Sequence, residues 1–237
     1  MTDLMIPTAL AYLLAHALAD YVFQSRWMVA NKRQPAVLLL HGFIVCALTA
    51  VALGGSLALA AALALAHLGI DAVKVHAVPQ AQRDRLWPYL ADQSAHLVTI
   101  GLAAYTVPDA FAQGLWAEYA GNLQQPALLL IGLIAATLAG GPAVGGLMTP
   151  YKAQAQPDGL DNAGRIIGLL ERALIYLMVM LGEPTGIGFL IAAKSILRFD
   201  TVSQSREISE YVIIGTLASF GWALIMAFAT QSLINLL

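Results

Sequence analysis

LALAAALALAHLGIDAVKVHAV, residues 57–78, reads as a membrane-crossing helix that turns polar near one end. Crossing the hydrocarbon core takes about 20 predominantly apolar residues, and this run opens on unbroken Ala and Leu. His67, Asp71 and Lys74 then follow at spacings of four and three, which puts them on one helical face. A charged side chain at the centre of a bilayer costs about 2.5–3.5 kcal/mol on insertion scales. A helix that only had to cross lipid would not carry that stripe.

Runs of the same kind recur along the chain. Of the 237 residues, 59% are hydrophobic and only 11% charged, with a mean hydropathy of +0.73. A soluble domain carries about 25% charged residues, so the composition indicates an all-α, polytopic membrane helical bundle of about eight transmembrane helices. The spans are expected at Leu4–Gln24, Ala36–Leu53, Leu57–Val78, Leu86–Val107, Pro126–Leu147, Arg165–Leu181, Thr185–Phe199 and Tyr211–Leu233. The seventh is short and starts among glycines, so it is expected to be tilted or re-entrant. DAFAQGLWAEYAG (109–121) is too short and polar to span, and its Trp116 and Tyr119 suit an interfacial helix.

Charge gives the direction. If the first helix runs inward, Arg26, Lys32, Arg33, Lys74, Arg83, Arg85, Lys152, Arg165, Arg198 and Arg206 all fall on the cytoplasmic side, and the external connections carry Asp109, Glu118 and Glu183 without a Lys or Arg. The positive-inside rule then places both termini outside. MTDLMIP has Asp3 and no basic residue, unlike a signal peptide, so the first helix is expected to be retained. Cys46, the single cysteine, lies in an apolar run and leaves no disulfide or thiolate metal site. No basic tail or glycine-rich phosphate loop points to nucleic acid. Three regions are expected: a four-helix bundle over 1–108, a connecting region over 109–164 with the interfacial helix, fifth span and polar loop, and a three-helix bundle over 165–237. Gly141 and Gly145 form a GxxxG spacing in the fifth span, suited to close helix packing.

The stripe of residues 57–78 has counterparts. The first span carries His16 and Asp20 in AHALADYVFQ, the fourth carries Asp92 and His96 in reversed order in DQSAH, and the second adds His41 in LLLHG. At about 1.5 Å per residue, Asp20, His41, Asp71 and Asp92 fall at one depth near the cytoplasmic helix ends, with His16, His67 and His96 about one turn deeper. The reversed order in the fourth span is what an antiparallel helix needs to bring Asp beside Asp and His beside His. Three carboxylates at one depth need cations or protons, and Lys74 balances one. His16, Asp20, His41, His67, Asp71, Asp92 and His96 are therefore candidate ligands for a divalent metal, or for two sharing bridging carboxylates. Zinc is the first choice, with manganese or iron as alternatives. A proton or ion relay and plain structural hydrogen bonding are the competing readings. Gln24 and Gln93 are candidates for bonding to the ligands, and His76, at a helix end, is expected to be solvated.

A second polar patch lies in the last helices, in GRIIGLLERALI, GIGFLIAAKSILRF and SEYVIIGTLASF. Glu171 with Lys194 and Arg172 with Glu210 could pair and lock three helices together; alternatively Arg172, Lys194 and Arg198 present cations to an anionic group such as a phosphate. No Ser–His–Asp arrangement is readable.

LLAHALADYVFQSRWMVANKR, LLLHG, HLGIDAVK, DQSAHL and the three second-half motifs together resemble the bacterial membrane proteins of domain-of-unknown-function family 3307. The resemblance implies a bacterial inner (cytoplasmic) membrane protein and brings no activity with it.

Two functional readings follow. One is a metal-dependent hydrolase acting on a lipid-linked or amphipathic phosphoester at the cytoplasmic leaflet, with membrane lipid as its surroundings and an anionic lipid as its substrate. The metal activates water, Asp92 serves as general base if it is not a ligand, and Arg172 and Lys194 hold the anion. The other is a transporter or channel for a divalent metal or proton-coupled solute that uses the same cluster as its binding site. An iron-dependent oxidase is disfavoured by the few histidines. The off-centre depth and the lack of an internal repeat weigh toward the enzyme, because transport sites sit near the midplane between repeats.

Overall fold

In a computed structural model the protein is all-helical; the structure describes residues 2–154, 162–197 and 206–237, and contains no strand among them. Among the described residues ten α-helices follow one another: α1 Thr2–Ala17, α2 Arg26–Asn31, α3 Pro35–Ala52, α4 Leu57–Ala77, α5 Leu86–Thr106, α6 Ala120–Thr137, α7 Gly140–Met148, α8 Ala163–Met180, α9 Gly186–Leu197 and α10 Arg206–Ile234. The chain divides into two compact units, one of Met1–Arg83, Trp87–Ile134 and Leu237, the other of Asp84–Leu86 and Ala135–Leu236.

In the first unit, α1 and α4 lie close against α3, and α5 joins them through its side chains. Gly42 sets the α3–α4 approach: a Cβ there would fall 2.5–2.8 Å from the Leu68 side chain, so only glycine lets the two helices come this close one residue after His41. Pro35 starts α3 at the position where a missing N–H costs nothing. The far end is closed by a cluster including Ala11, Tyr12, Leu53, Ile100 and Phe111. Thr8 ties it down, its hydroxyl donating to the Pro108 carbonyl at 2.7 Å and accepting from the Phe111 amide at 3.1 Å.

Residues 109–116, expected within an interfacial helix over 109–121, form turns instead, with a 3-10 turn at Ala117–Tyr119. The reason is local. The Leu115 amide donates to the Gly54 carbonyl and the Trp116 indole to the Val51 carbonyl, so this stretch caps the α3–α4 turn. Gly54 has φ +72°, and neither it nor Gly114 has room for a Cβ.

In the second unit, α8 and α10 pack through Ile175 and Val179 against Phe220, Ala223 and Ala227. α7 lies against both helices. Pro126–Leu147, expected as one span, is broken between α6 and α7, with Pro142 in the first turn of α7.

The polarity is that of a protein in lipid. Leu39 (64%), Phe43 (71%) and Leu65 (69%) are exposed, whereas His41 (0%), His67 (5%) and Asp71 (1%) are buried. Five stretches among the described residues are long and apolar enough to cross a membrane: Asp3–Val22, Pro35–Ala52, Leu57–Ala77, Ala117–Tyr151 and Arg206–Ile234. The stretches Leu86–Val107 and Arg165–Leu181, expected as spans, form the helices α5 and α8 but are not among those five. Asp92, Gln93 and His96 in the first and Arg165, Glu171 and Arg172 in the second make them more polar than those five. α9, with 12 residues, is short, as its glycine-rich start suggested.

Candidate metal centre

The seven His and Asp residues singled out in the sequence come together inside the first unit, and all are buried or nearly so. The rings of His67 and His96 stack at 4.0 Å between centroids, His16 lies 5.0 Å from His96, and His41 lies 5.0 Å from His67. Three overlapping groups have ligand atoms within 4.8 Å of one another: His16, His67 and His96; Asp20, His41 and His67; and Asp71, Asp92 and His96.

The backbone helps in a way periodicity does not reveal. After Ala17 the first helix widens into a π-turn, Leu18–Val22, closed by the Phe23 amide on the Leu18 carbonyl. Such single π-turns are frequent at functional sites, and this one carries Asp20.

One set of four atoms stands out. His41 Nε2 lies 3.0 Å from His67 Nε2, and Asp20 Oδ1 lies 3.1 Å from the first and 3.2 Å from the second. Asp71 Oδ2 lies 3.5 Å from His41 Nε2 and 3.4 Å from His67 Nε2. Ligands about 2.0 Å from a tetrahedral ion are separated from each other by about 3.3 Å, and these five distances scatter around that value; Asp20, His41 and His67 form the mutually close group among them. Hydrogen bonding serves the set poorly. A contact between two imidazole nitrogens needs one of them to lack its proton, and the single N–H that remains is shared among the other nitrogen and two carboxylate oxygens. A single cation would satisfy Asp20 Oδ1 and both imidazole nitrogens, with Asp71 Oδ2 beside them.

Beyond this set, Asp92 Oδ1 and His96 Nε2 face each other at 3.7 Å, and both are buried without a hydrogen bond, as is His16 Nδ1. Asp71 Oδ1 lies 3.9 Å from His96 Nε2, so the Asp71 carboxylate has one oxygen toward each group.

Gln93 does what was expected of it. Its amide donates to Asp20 Oδ2 and Asp92 Oδ2, and its carbonyl lies 3.2 Å from His16 Nε2. Gln24 does not join it; its buried Nε2 has no hydrogen bond. Three residues were missed. Lys32, from the turn before α3, pairs with Asp71 Oδ1 at 2.7 Å. Tyr21 donates to Gln93 at 2.8 Å and meets the Tyr89 hydroxyl at 2.7 Å. Tyr89 stands four residues before Gln93, a spacing that could have shown it; nothing local distinguishes Lys32 from other loop lysines. The missed lysine changes the charge balance. With Lys74 on Asp92 Oδ2 at 2.8 Å, two ammonium groups face three carboxylates, leaving one excess negative charge where the sequence suggested two. His76 is exposed at the end of α4.

The profile of a family described as a protein of unknown function, DUF3307, matches residues 9–118. That segment belongs to the family. The DUF3307 segment holds all seven cluster residues together with Lys32, Lys74 and Gln93, so the cluster lies wholly inside the matched region. The second-half motifs that contributed to the resemblance lie beyond it. No curated protein and no solved structure matches the chain.

Those later motifs build a different arrangement. Glu171 and Lys194 pair at 2.7 Å. Arg172 does not pair with Glu210, which binds Arg206 one turn earlier in its own helix. Instead the buried Arg172 guanidinium donates twice to the Thr137 carbonyl, at 3.1 and 2.9 Å, and once to the Ser219 hydroxyl. Arg198 lies outside the described residues.

Proposed function

We propose that the protein is a membrane-embedded, metal-dependent hydrolase acting on a lipid-linked or amphipathic phosphoester at the cytoplasmic leaflet. The observation that carries this reading is the convergence of Asp20 Oδ1, His41 Nε2 and His67 Nε2, 3.0–3.2 Å apart, with Asp71 Oδ2 3.4–3.5 Å from both nitrogens. Two neutral imidazoles with carboxylates suit zinc first, then manganese or iron. One divalent ion answers the excess negative charge that Lys32 and Lys74 leave. A bound ion would polarise the ester and activate water.

Asp92 fits the role of general base. It lies outside the Asp20–His41–His67 group, Lys74 anchors one of its oxygens at 2.8 Å, and the other is buried without a hydrogen bond, 3.7 Å from His96 Nε2. The shape of the surroundings favours an amphipathic substrate. Beside the imidazoles of His16, His67 and His96 is a cavity of about 20 Å³, lined also by Tyr12 and Thr49. Since one water needs about 10–15 Å³ of such space, no ester fits there. Between α4 and α5 runs a larger groove of about 560 Å³, apolar along Ile70, Val73, Trp87 and Ala95 and charged only at Lys74 and Asp92. An acyl chain in that groove brings its head to the Asp92 carboxylate.

The chain is proposed to cross a bacterial inner membrane eight times with both termini outside, on the asymmetry of its Lys and Arg residues. The transporter reading draws on one observation, the near-complete burial of the cluster around a water-sized cavity, which suits a dehydrated ion better than an ester. The two are separated by assaying purified protein, reconstituted with zinc, for hydrolysis of a long-chain phosphoester and for zinc uptake into vesicles. Metal-dependent hydrolysis abolished by Asp92→Asn supports the enzyme. Uptake without hydrolysis rejects it.

A further inference from the structure

The second unit contains a cavity of about 490 Å³ whose lining is unlike that of the α4–α5 groove. Arg165, Arg172 and Lys194 reach it, and Glu171 is the only carboxylate among its described lining residues. The two surplus positive charges have no anionic partner in the described lining. On the α7 side the cavity is bounded by Gly141 and Gly145, which carry no side chains, together with Val144 and Met148. A Cβ at Gly141 would come 4.0 Å from Arg172 Nη2, and one at Gly145 would meet nothing within 4 Å. The GxxxG spacing therefore opens space and does not seal a helix contact at these two positions.

Arg172 is held in place as a rigid element. Gly140 and Gly168 leave room for its side chain, since a Cβ at either would press to 2.7 Å from Nε or 3.1 Å from Nη1. The Thr137 carbonyl and Ser219 hydroxyl take three of its five N–H donors. Lys194 is oriented by Glu171, and Ser219 and Tyr211 add hydroxyls to the lining. A buried guanidinium fixed at a cavity with two further cations matches the recognition chemistry of phosphate oxygens.

We propose that this cavity is a phosphate-binding site, for free phosphate or for the headgroup of an anionic lipid, with Lys194 and Arg165 as direct contacts and Arg172 as the fixed cation behind them. It is independent of the metal-centred hydrolysis proposed above: it lies within the second unit, and its ligand needs no metal.

The test uses the full chain in zwitterionic nanodiscs. Equilibrium dialysis with radiolabelled inorganic phosphate probes the free anion, and native mass spectrometry from phosphatidylcholine discs doped with phosphatidic acid probes the lipid. Removing one charged hydrogen-bonding partner lowers affinity by about tenfold or more, so Lys194→Ala and the exposed Arg165→Ala should each weaken whichever anion binds. Gly141→Leu keeps every charge, favours the helix and fills the space beside Arg172, and should block binding. Asp71→Asn, in the other unit, should leave it unchanged even if it empties the metal centre. Binding of inorganic phosphate that responds to these variants identifies free phosphate. Retention of phosphatidic acid alone, with the same response, identifies a lipid headgroup. No selective binding of either, or binding unaffected by both Arg165→Ala and Gly141→Leu in folded protein, overturns the proposal.

Discussion

Asp71→Asn separates a metal ligand from a structural hydrogen bond. The carboxylate is 1% exposed, with Oδ1 on Lys32 at 2.7 Å and Oδ2 3.4–3.5 Å from two imidazole nitrogens. Asparagine has almost the same shape, so packing is preserved. The charge is not: two carboxylates would face two ammonium groups, and no excess negative charge would remain to hold a cation. Disturbing groups that merely support a ligand costs 10–100-fold in metal affinity; losing the ligand itself should cost at least about 100-fold. The stability cost is smaller, about 1–3 kcal/mol for a lysine deprived of its buried partner, and Lys32 is itself partly accessible. Elemental analysis of protein purified by size exclusion gives the readout. The expected result is a monodisperse variant with metal content reduced to near background. Full metal occupancy in Asp71→Asn would refute the coordination argument, whatever its effect on activity.

Other substitutions probe how the site is assembled. Lys32→Ala raises the excess to two negative charges, so metal should bind more tightly and a chelator should lower Tm more than it does for the wild type. Gly42→Val forces a branched side chain onto Leu68 and should cost about 1–3 kcal/mol as overpacking; because it pushes α3 from α4, metal content should fall with it, although no ligand is changed. Thr8→Val leaves the buried Phe111 amide without its acceptor, a loss of about 1–3 kcal/mol, and should lower Tm while sparing metal content.

The helices that carry the site were legible because lipid makes a buried polar residue conspicuous. His67, Asp71, Asp92 and His96 stand in otherwise apolar runs, and antiparallel geometry turns their reversed order into a shared layer. What the sequence hid depends on tertiary approach. Lys32 looks like any loop lysine until the turn before α3 folds back over Asp71. The π-turn at Leu18–Val22 has no periodic signature, since an i,i+4 pair is spaced identically whether or not the helix widens after it. Residues 109–116 misled for a related reason: Trp116 suits a membrane interface, but its indole is spent on the Val51 carbonyl. Arg172 has no side-chain acid as its partner, and a backbone carbonyl cannot be read from residue types.

X-ray absorption at the metal edge, on protein reconstituted with one equivalent of zinc, measures the central claim most directly. The converging atoms of Asp20, His41 and His67 predict stoichiometric binding, with a first shell of nitrogen and oxygen donors at about 2.0–2.1 Å and the outer-shell scattering of two imidazoles. An all-oxygen shell without imidazole scattering, or failure to retain one zinc per chain through desalting, would contradict it.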